Sequence, residues 1–202
     1  MSLKEKQKEF KKKIICEVAY NLFSSKPVES VSVEEIARLV GCAKGTIYLY
    51  FKNKDEILNH LVSQGLQKLC SDMAENCLSV DDIQVAISNY TRLQFQFFRE
   101  YHFIISSWVR RRMEGNIKPE SIKAIDSMLE KKVQIVTQML EKGIKDGHII
   151  QVDAYQLANL IESVVREATF PFTHTEIKDS SDDKLTLLSF VLNNGIMVRN
   201  TT

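Results

Sequence analysis

The stretch from Ser32 to Lys54, SVEEIARLVGCAKGTIYLYFKNK, constrains the fold more than any other part of the chain. Ser32 followed three positions later by Glu35 has the spacing of a reciprocal cap, in which a hydroxyl and a carboxylate each satisfy a free N–H at a helix start. Val33, Ile36, Ala37 and Val40 then recur at i, i+3, i+4 and i+7, one apolar stripe, with Glu34, Glu35 and Arg38 left to water. Gly41 ends that helix, because the position after the last turn commonly takes a left-handed backbone that costs glycine nothing. A second short helix starts near Ala43, where Ile47 and Phe51, one turn apart, face the same core. Thr46, Tyr48 and Tyr50 are left on its other sides. Two short helices and a tight turn, with small Ala37 at their crossing, form the helix-turn-helix pattern, whose second helix enters a DNA major groove.

The remainder of the chain reads as helix after helix. Seven glycines and three prolines in 202 residues leave few breaks for a many-stranded fold, and 44% hydrophobic with 26% charged residues suits a soluble globular protein. With Met1 to Leu3 set aside, a first helix from Glu5 to Ser24 carries Phe10, Ile14, Val18 and Leu22, and Pro27 closes it. Asn53 and Glu56 form a second cap box, opening a fourth helix of some twenty residues through Ile57, Leu61, Val62, Leu66, Leu69 and Met73. A fifth runs from Ile83 to Tyr101 and a sixth from Phe103 to Met113. Pro119 opens a seventh that Gly147 ends, Asp153 caps an eighth that Pro171 stops, and the ninth spans Lys184 to about Val198.

Charge is unevenly distributed. Up to Lys54 there are 11 Lys and Arg against 6 Asp and Glu, whereas the rest has 16 against 20. A basic end on a mildly acidic body suits a polyanion-binding head on a regulatory body. Lys4, Lys6, Lys8, Lys11, Lys12 and Lys13 crowd the start of the first helix, either as phosphate contacts or as a solvated arm.

Several functions are disfavoured. No apolar run reaches the roughly 18 residues of a membrane span, and the Lys-rich start lacks the apolar centre of a secretion signal, so the cytoplasm is the expected compartment. No nucleophile and base pair by motif, no phosphate loop is present and no carboxylates cluster, which argues against an enzyme and against a cofactor. His60, His102, His148 and His174 lack zinc-ligand spacing, so no metal site is expected. Cys16, Cys42, Cys70 and Cys77 form no Cys-x-x-Cys pair and read as small core residues; Cys70 and Cys77, sharing a helix face, leave a redox sensor open.

The run GTIYLYFKNKDEIL strongly resembles the TetR family of bacterial transcriptional regulators, specifically so over about residues 10–60 and beyond that only in length and helical layout. The resemblance implies an all-α protein of about nine helices. A three-helix DNA-binding head, residues 1–54, is joined through the long fourth helix to a helical effector-binding and dimerisation body, residues 55–202. It implies a DNA-binding regulator, a repressor released from its double-stranded operator by a small, mostly apolar effector. The rival reading is a helical protein-interaction scaffold whose helix-turn-helix reads no DNA.

Lys44 and Thr46, near the start of the second motif helix, are placed to meet base edges, and Gly45 lets the backbone approach. Tyr48, Tyr50 and Lys54 are donors suited to phosphates; Tyr48 and Lys54 match the family's usual phosphate positions, and Tyr50 one often held by histidine. Ser32 either caps only or also donates to a phosphate, and Tyr50 either does so or packs inward. Aromatic and thioether bulk on the middle helices, Phe95, Phe97, Phe98, Tyr101, Phe103, Trp108, Met128 and Phe170, is mostly core. In the family the corresponding helices enclose the effector, which singles out Phe97, Tyr101, Trp108 and Met128. The last two helices carry more apolar positions than one face holds, so Leu157, Ile161, Val164, Leu188, Val191 and Leu192 are expected at a homodimer interface.

Overall fold

A computed structural model describes residues 2–169 and 181–197, as helices and short connections. In chain order these are α1 (Leu3–Ser25), α2 (Val33–Val40), α3 (Lys44–Tyr48), α4 (Lys54–Met73), α5 (Ile83–Met113), α6 (Pro119–Lys145), α7 (Ala154–Thr169) and α8 (Ser181–Gly195). Among the described residues the only β pairing is an isolated bridge between Ile149 and Met197. Phe170, Pro171 and His174, and the end of the ninth expected helix at Val198, lie outside the described residues.

Among the described residues eight α-helices stand where nine were expected, because the fifth and sixth are one, α5, which is 31 residues long. No glycine or proline lies between Ile83 and Met113, and Asp82 caps the start, its carboxylate accepting from the Gln84 N–H at 2.8 Å. The change in apolar face near Tyr101 marks a change of neighbours, not a break in the backbone. Gly115 (φ 73°) supplies the left-handed residue after α5, as Gly41 (φ 71°) and Gly147 (φ 74°) do after α2 and α6.

The caps also differ from the spacing rule. Ser2 and Glu5 make the full reciprocal box, at 2.6 and 3.2 Å, so the residues set aside in the sequence are what starts α1. Ser32 caps α2 by accepting from the Glu35 N–H at 3.0 Å, but the Glu35 carboxylate turns away to the Lys26 ammonium, also at 3.0 Å. Asn53 likewise accepts from the Glu56 N–H at 2.9 Å, while Glu56 accepts from the Lys52 N–H at 2.7 Å.

The chain divides into two compact units, Met1–Gly65 with Glu100–Ile125, and Leu66–Arg99 with Asp126–Thr202. In the first, α1 packs on α2 and α2 on α3. Ile15, Ala19, Phe23, Ile36, Ile47 and Phe51 are buried there, joined by Ile57, Leu58, Ile104 and Trp108. Gly65 lets α4 and α5 approach: a Cβ at that position would overlap the Tyr101 ring, which itself lies against Tyr20 with centroids 5.3 Å apart.

The second unit is built on Leu69, Met73, Ile87, Tyr90, Val136, Leu140, Ala158, Ile161 and Leu188, one continuous apolar cluster. Each large side chain so buried is worth about 1.5–3 kcal/mol. A polar network runs through it. The Tyr90 hydroxyl donates to Glu162 at 3.1 Å, Lys132 pairs with the same carboxylate at 2.6 Å, and Lys132 also donates to Gln94 at 3.3 Å. Burial, reinforced by the Glu162 charge, pushes the Tyr90 phenol well above its ordinary pKa.

Candidate nucleic-acid interface

The helix-turn-helix forms as its residues require. Gly41 donates to the Ala37 and Arg38 carbonyls and Cys42 donates to the Ala37 carbonyl at 3.0 Å, which closes α2 and turns the chain into α3. Ile47, 1% exposed, and Phe51, 4%, anchor α3 in the core, so the intervening positions must face out. Lys44, Gly45 and Tyr48 are exposed, and Thr46 and Tyr50 half-buried. Among the described residues nothing beyond its own helix backbone and chain neighbours lies within 4 Å of where a Gly45 Cβ would be, so no packing contact there demands glycine. The bare backbone is open to an outside surface.

Lys44 pairs with Glu34 on α2 and lies 5.7 Å from the Tyr48 ring centroid. The hydrogen bond between them holds the Glu34 carboxyl below its ordinary pKa and lifts the Lys44 ammonium above its own. Both groups are in water, so the pair is weak and Lys44 can exchange Glu34 for another anion. Leu49, 76% exposed, and Leu39, 51%, also stand on this unit's surface. Sequence reading passed over them because leucines count toward a core. For Leu49 the signal was its spacing, two residues from Ile47 and two from Phe51, which is out of phase with the buried stripe.

Lys54, expected from its donor chemistry and the family resemblance to contact phosphate, also meets carbonyls of the chain itself. Its ammonium donates to the Val28 carbonyl at 2.6 Å and the Val31 carbonyl at 2.8 Å, with Glu29 O at 3.4 Å, and so fastens the start of α4 to the loop before α2. Burial, and next the nearby Arg111, lower its pKa. The end of α5 grips the same place. Ser107 accepts from the Val28 N–H and donates to Glu29, both at 3.4 Å; Trp108 donates to the Asn59 side chain at 2.8 Å, and Arg111 pairs with Asp55.

Trp108 and Tyr101 thus belong to the first unit, Trp108 being 4% exposed with Arg112 over its ring. Phe97 and Met128 belong to the second, Phe97 against its apolar cluster and Met128 offering its carbonyl to the Cys70 thiol at 3.7 Å. A cavity of about 190 Å³ inside the second unit is lined by Cys77, Val80, Ile83, Met139 and Lys142, and by none of those four. Of the six interface candidates, Ile161, Leu188 and Leu192 are buried in the chain's own core and Leu157 is half-buried. Val164 and Val191 are exposed, together with Leu160 (62%), Leu187 (64%) and Phe190 (63%). The apolar face that α7 and α8 present is therefore carried mainly by residues between the core positions.

Cys16, Cys70 and Cys77 are buried and Cys42 is half-buried, all as free thiols. Burial pushes the Cys16 and Cys77 thiols up to about 11 and raises Cys70 as well. Since the thiolate is the reactive form, Cys70 and Cys77 are poor sensors. Among the described residues no His, Cys, Asp and Glu group could hold a metal ion.

The family model for bacterial regulatory proteins of the tetR family matches residues 15–61, which span the whole helix-turn-helix. The fatty acid metabolism regulator protein of Bacillus subtilis (strain 168) is 28% identical over 148 residues, covering 71% of this chain and 73% of that protein. A transcriptional regulator from Saccharomonospora viridis, solved in complex with choline, superposes with a TM-score of 0.80 at 18% identity, over 93% of this chain and 98% of its own. FadR from Bacillus subtilis, solved in complex with stearoyl-CoA, gives 0.72 at 21% identity, over 91% and 98%. At such identities the structures show a shared fold.

Proposed function

We propose that this chain, whose residues 15–61 match the family model for bacterial regulatory proteins of the tetR family, is a cytoplasmic homodimeric repressor whose hold on an operator falls when a small, mostly apolar molecule binds its body. The family and the relatives are transcriptional regulators, not enzymes. No described helix is long and apolar enough to cross a membrane. One observation carries the reading: α3 buries Ile47 while turning Lys44, Gly45 and Tyr48 outward beside a half-buried Thr46. Lys44 and Thr46 then meet base edges, and Tyr48, Tyr50 and Ser32 donate to phosphates. Residues 1–54 act as the DNA-binding part and residues 55–202 as the effector-binding and dimerising part.

A single head reads half a site; a two-fold dimer offers two recognition helices about 34 Å apart. The exposed apolar residues of α7 and α8 support that assembly, since among the described residues nothing covers Leu160, Leu187 and Phe190, and exposed apolar patches mark interfaces. The effector acts by binding one conformation better than another, and only such a difference can change DNA affinity. α4 and α5 are the elements that carry the change: each is continuous from residues of the second unit into the first, and in the first they hold Val28, Asp55 and Asn59. Stearoyl-CoA, bound by one similar regulator, and choline, bound by another, define the first effector chemistries to test. The experiment is a gel shift on DNA flanking the protein's own gene, with and without each compound. A retarded band that an effector abolishes is expected, and absence of any specific band contradicts the reading.

A further inference from the structure

Resting on the DNA-binding reading above, we propose that the first three turns of α1 are a second DNA-contacting element, a basic helical arm that lies along phosphates beside the groove taken by α3. The arm has a defined shape, because the Ser2–Glu5 box fixes its start and α1 is helical from Leu3. It is also bare. The first residue of α1 described as buried is Ile15, residues 5–10 are all exposed, and even Phe10 is 65% exposed, so nothing among the described residues covers this stretch. At 1.5 Å per residue, the twelve positions before Ile15 extend the helix by about 18 Å.

Its side chains select the partner. Ile15 and Ala19 lie on the stripe that packs into the first unit, and Lys11 and Lys8, four and seven positions before Ile15, continue that stripe upstream. Among the described residues Lys6, Lys8 and Lys11 have no carboxylate partner, and Lys13 meets only Glu17, at 3.8 Å. Lys8 sits at i,i+3 from Lys11 and i,i+4 from Lys12, spacings at which like charges destabilise a helix. A polyanion removes that cost and a neutral or basic partner does not. Position completes the argument. Lys12 stands 5.6 Å from the centroid of Phe51, whose N–H bonds to the Ile47 carbonyl just beyond α3. The third turn of α1 therefore borders the end of the recognition helix, and the lysines run outward from there.

Phosphate contacts carry no sequence information and release counterions, so their signature is the salt dependence of binding. The test compares the full-length protein with the triple variant Lys6→Ala, Lys8→Ala and Lys11→Ala by fluorescence anisotropy, on DNA from its own upstream region and on unrelated DNA, from 50 to 300 mM salt. Alanine preserves the helix, which circular dichroism checks. The slope of log affinity against log salt is expected to fall by about two to three, with affinity for both DNAs reduced alike and their ratio unchanged. Arginine at the same three positions should restore the wild-type slope. A triple-alanine slope equal to wild type overturns the proposal, as does a loss confined to the specific DNA. A wild-type protein that binds neither DNA overturns the DNA-binding reading itself.

Discussion

Two lysine–carboxylate pairs show how differently the two units are built. Lys44 and Glu34 meet in water on the helix-turn-helix surface, with side chains 47% and 60% exposed. Lys132 and Glu162 meet inside the second unit, 13% and 9% exposed, with Tyr90 and Gln94 completing the set. An exposed pair is screened and exchangeable, so it leaves a cation available to an incoming anion. A buried pair is held by the high cost of exposing either charge to an apolar interior, so its members belong to the architecture. The same chemistry thus lies open to an incoming anion in one place and serves packing in the other.

Removing one partner of the buried pair breaks the comparison most directly. Lys132→Ala strands the Glu162 carboxylate and should cost about 3–5 kcal/mol in urea unfolding, whereas Lys132→Met combined with Glu162→Leu should recover much of it. An unchanged unfolding midpoint for Lys132→Ala would mean that the network carries no weight. Lys54 is the intermediate case. Lys54→Ala unties two carbonyls and should cost about 1–3 kcal/mol of stability. Its DNA-binding slope separates two roles: a fall of about one marks an added phosphate contact, and an unchanged slope marks positioning alone.

Smaller effects follow on the exposed side. Glu34→Gln frees Lys44 and removes a negative charge from the helix-turn-helix surface, so DNA affinity should rise a few-fold at low salt and converge with wild type as salt increases. His60 tests pH. Burial, and then Lys12, lower its pKa from the ordinary value, and its ring lies 5.7 Å from that of Phe51. The unfolded chain therefore takes up the proton first as pH falls: the stability is fully present above about 6.5 and is lost progressively below it. His60→Gln should flatten that acid-side decline in thermal melts taken between pH 7.5 and 5.

The head was legible in the sequence because its elements are set by short-range stereochemistry. Ser32, Gly41, Ile47 and Phe51 each do what their spacing implies. What escaped was decided by neighbours distant in sequence. Glu35 abandons the reciprocal box because Lys26, nine residues earlier, reaches its carboxylate, and Lys54 turns to carbonyls more than twenty residues away. The long α5 was divided in two because periodicity registers which face is apolar but not which element covers it. For the same reason the apolar surplus on α7 and α8 was visible, while its split into buried Ile161, Leu188 and Leu192 and exposed Leu160, Leu187 and Phe190 was not.

The central claim is that α3 reads sequence with the side chains that its buried anchors turn outward. Fluorescence anisotropy at one fixed salt concentration, on the upstream DNA and on a scrambled duplex, tests it in wild type and in Thr46→Ala. The account expects wild type to prefer its own site by about a thousandfold or more, and Thr46→Ala to lose roughly 1–3 kcal/mol of that preference while binding scrambled DNA as before. Equal affinity of the wild-type protein for both duplexes would contradict it.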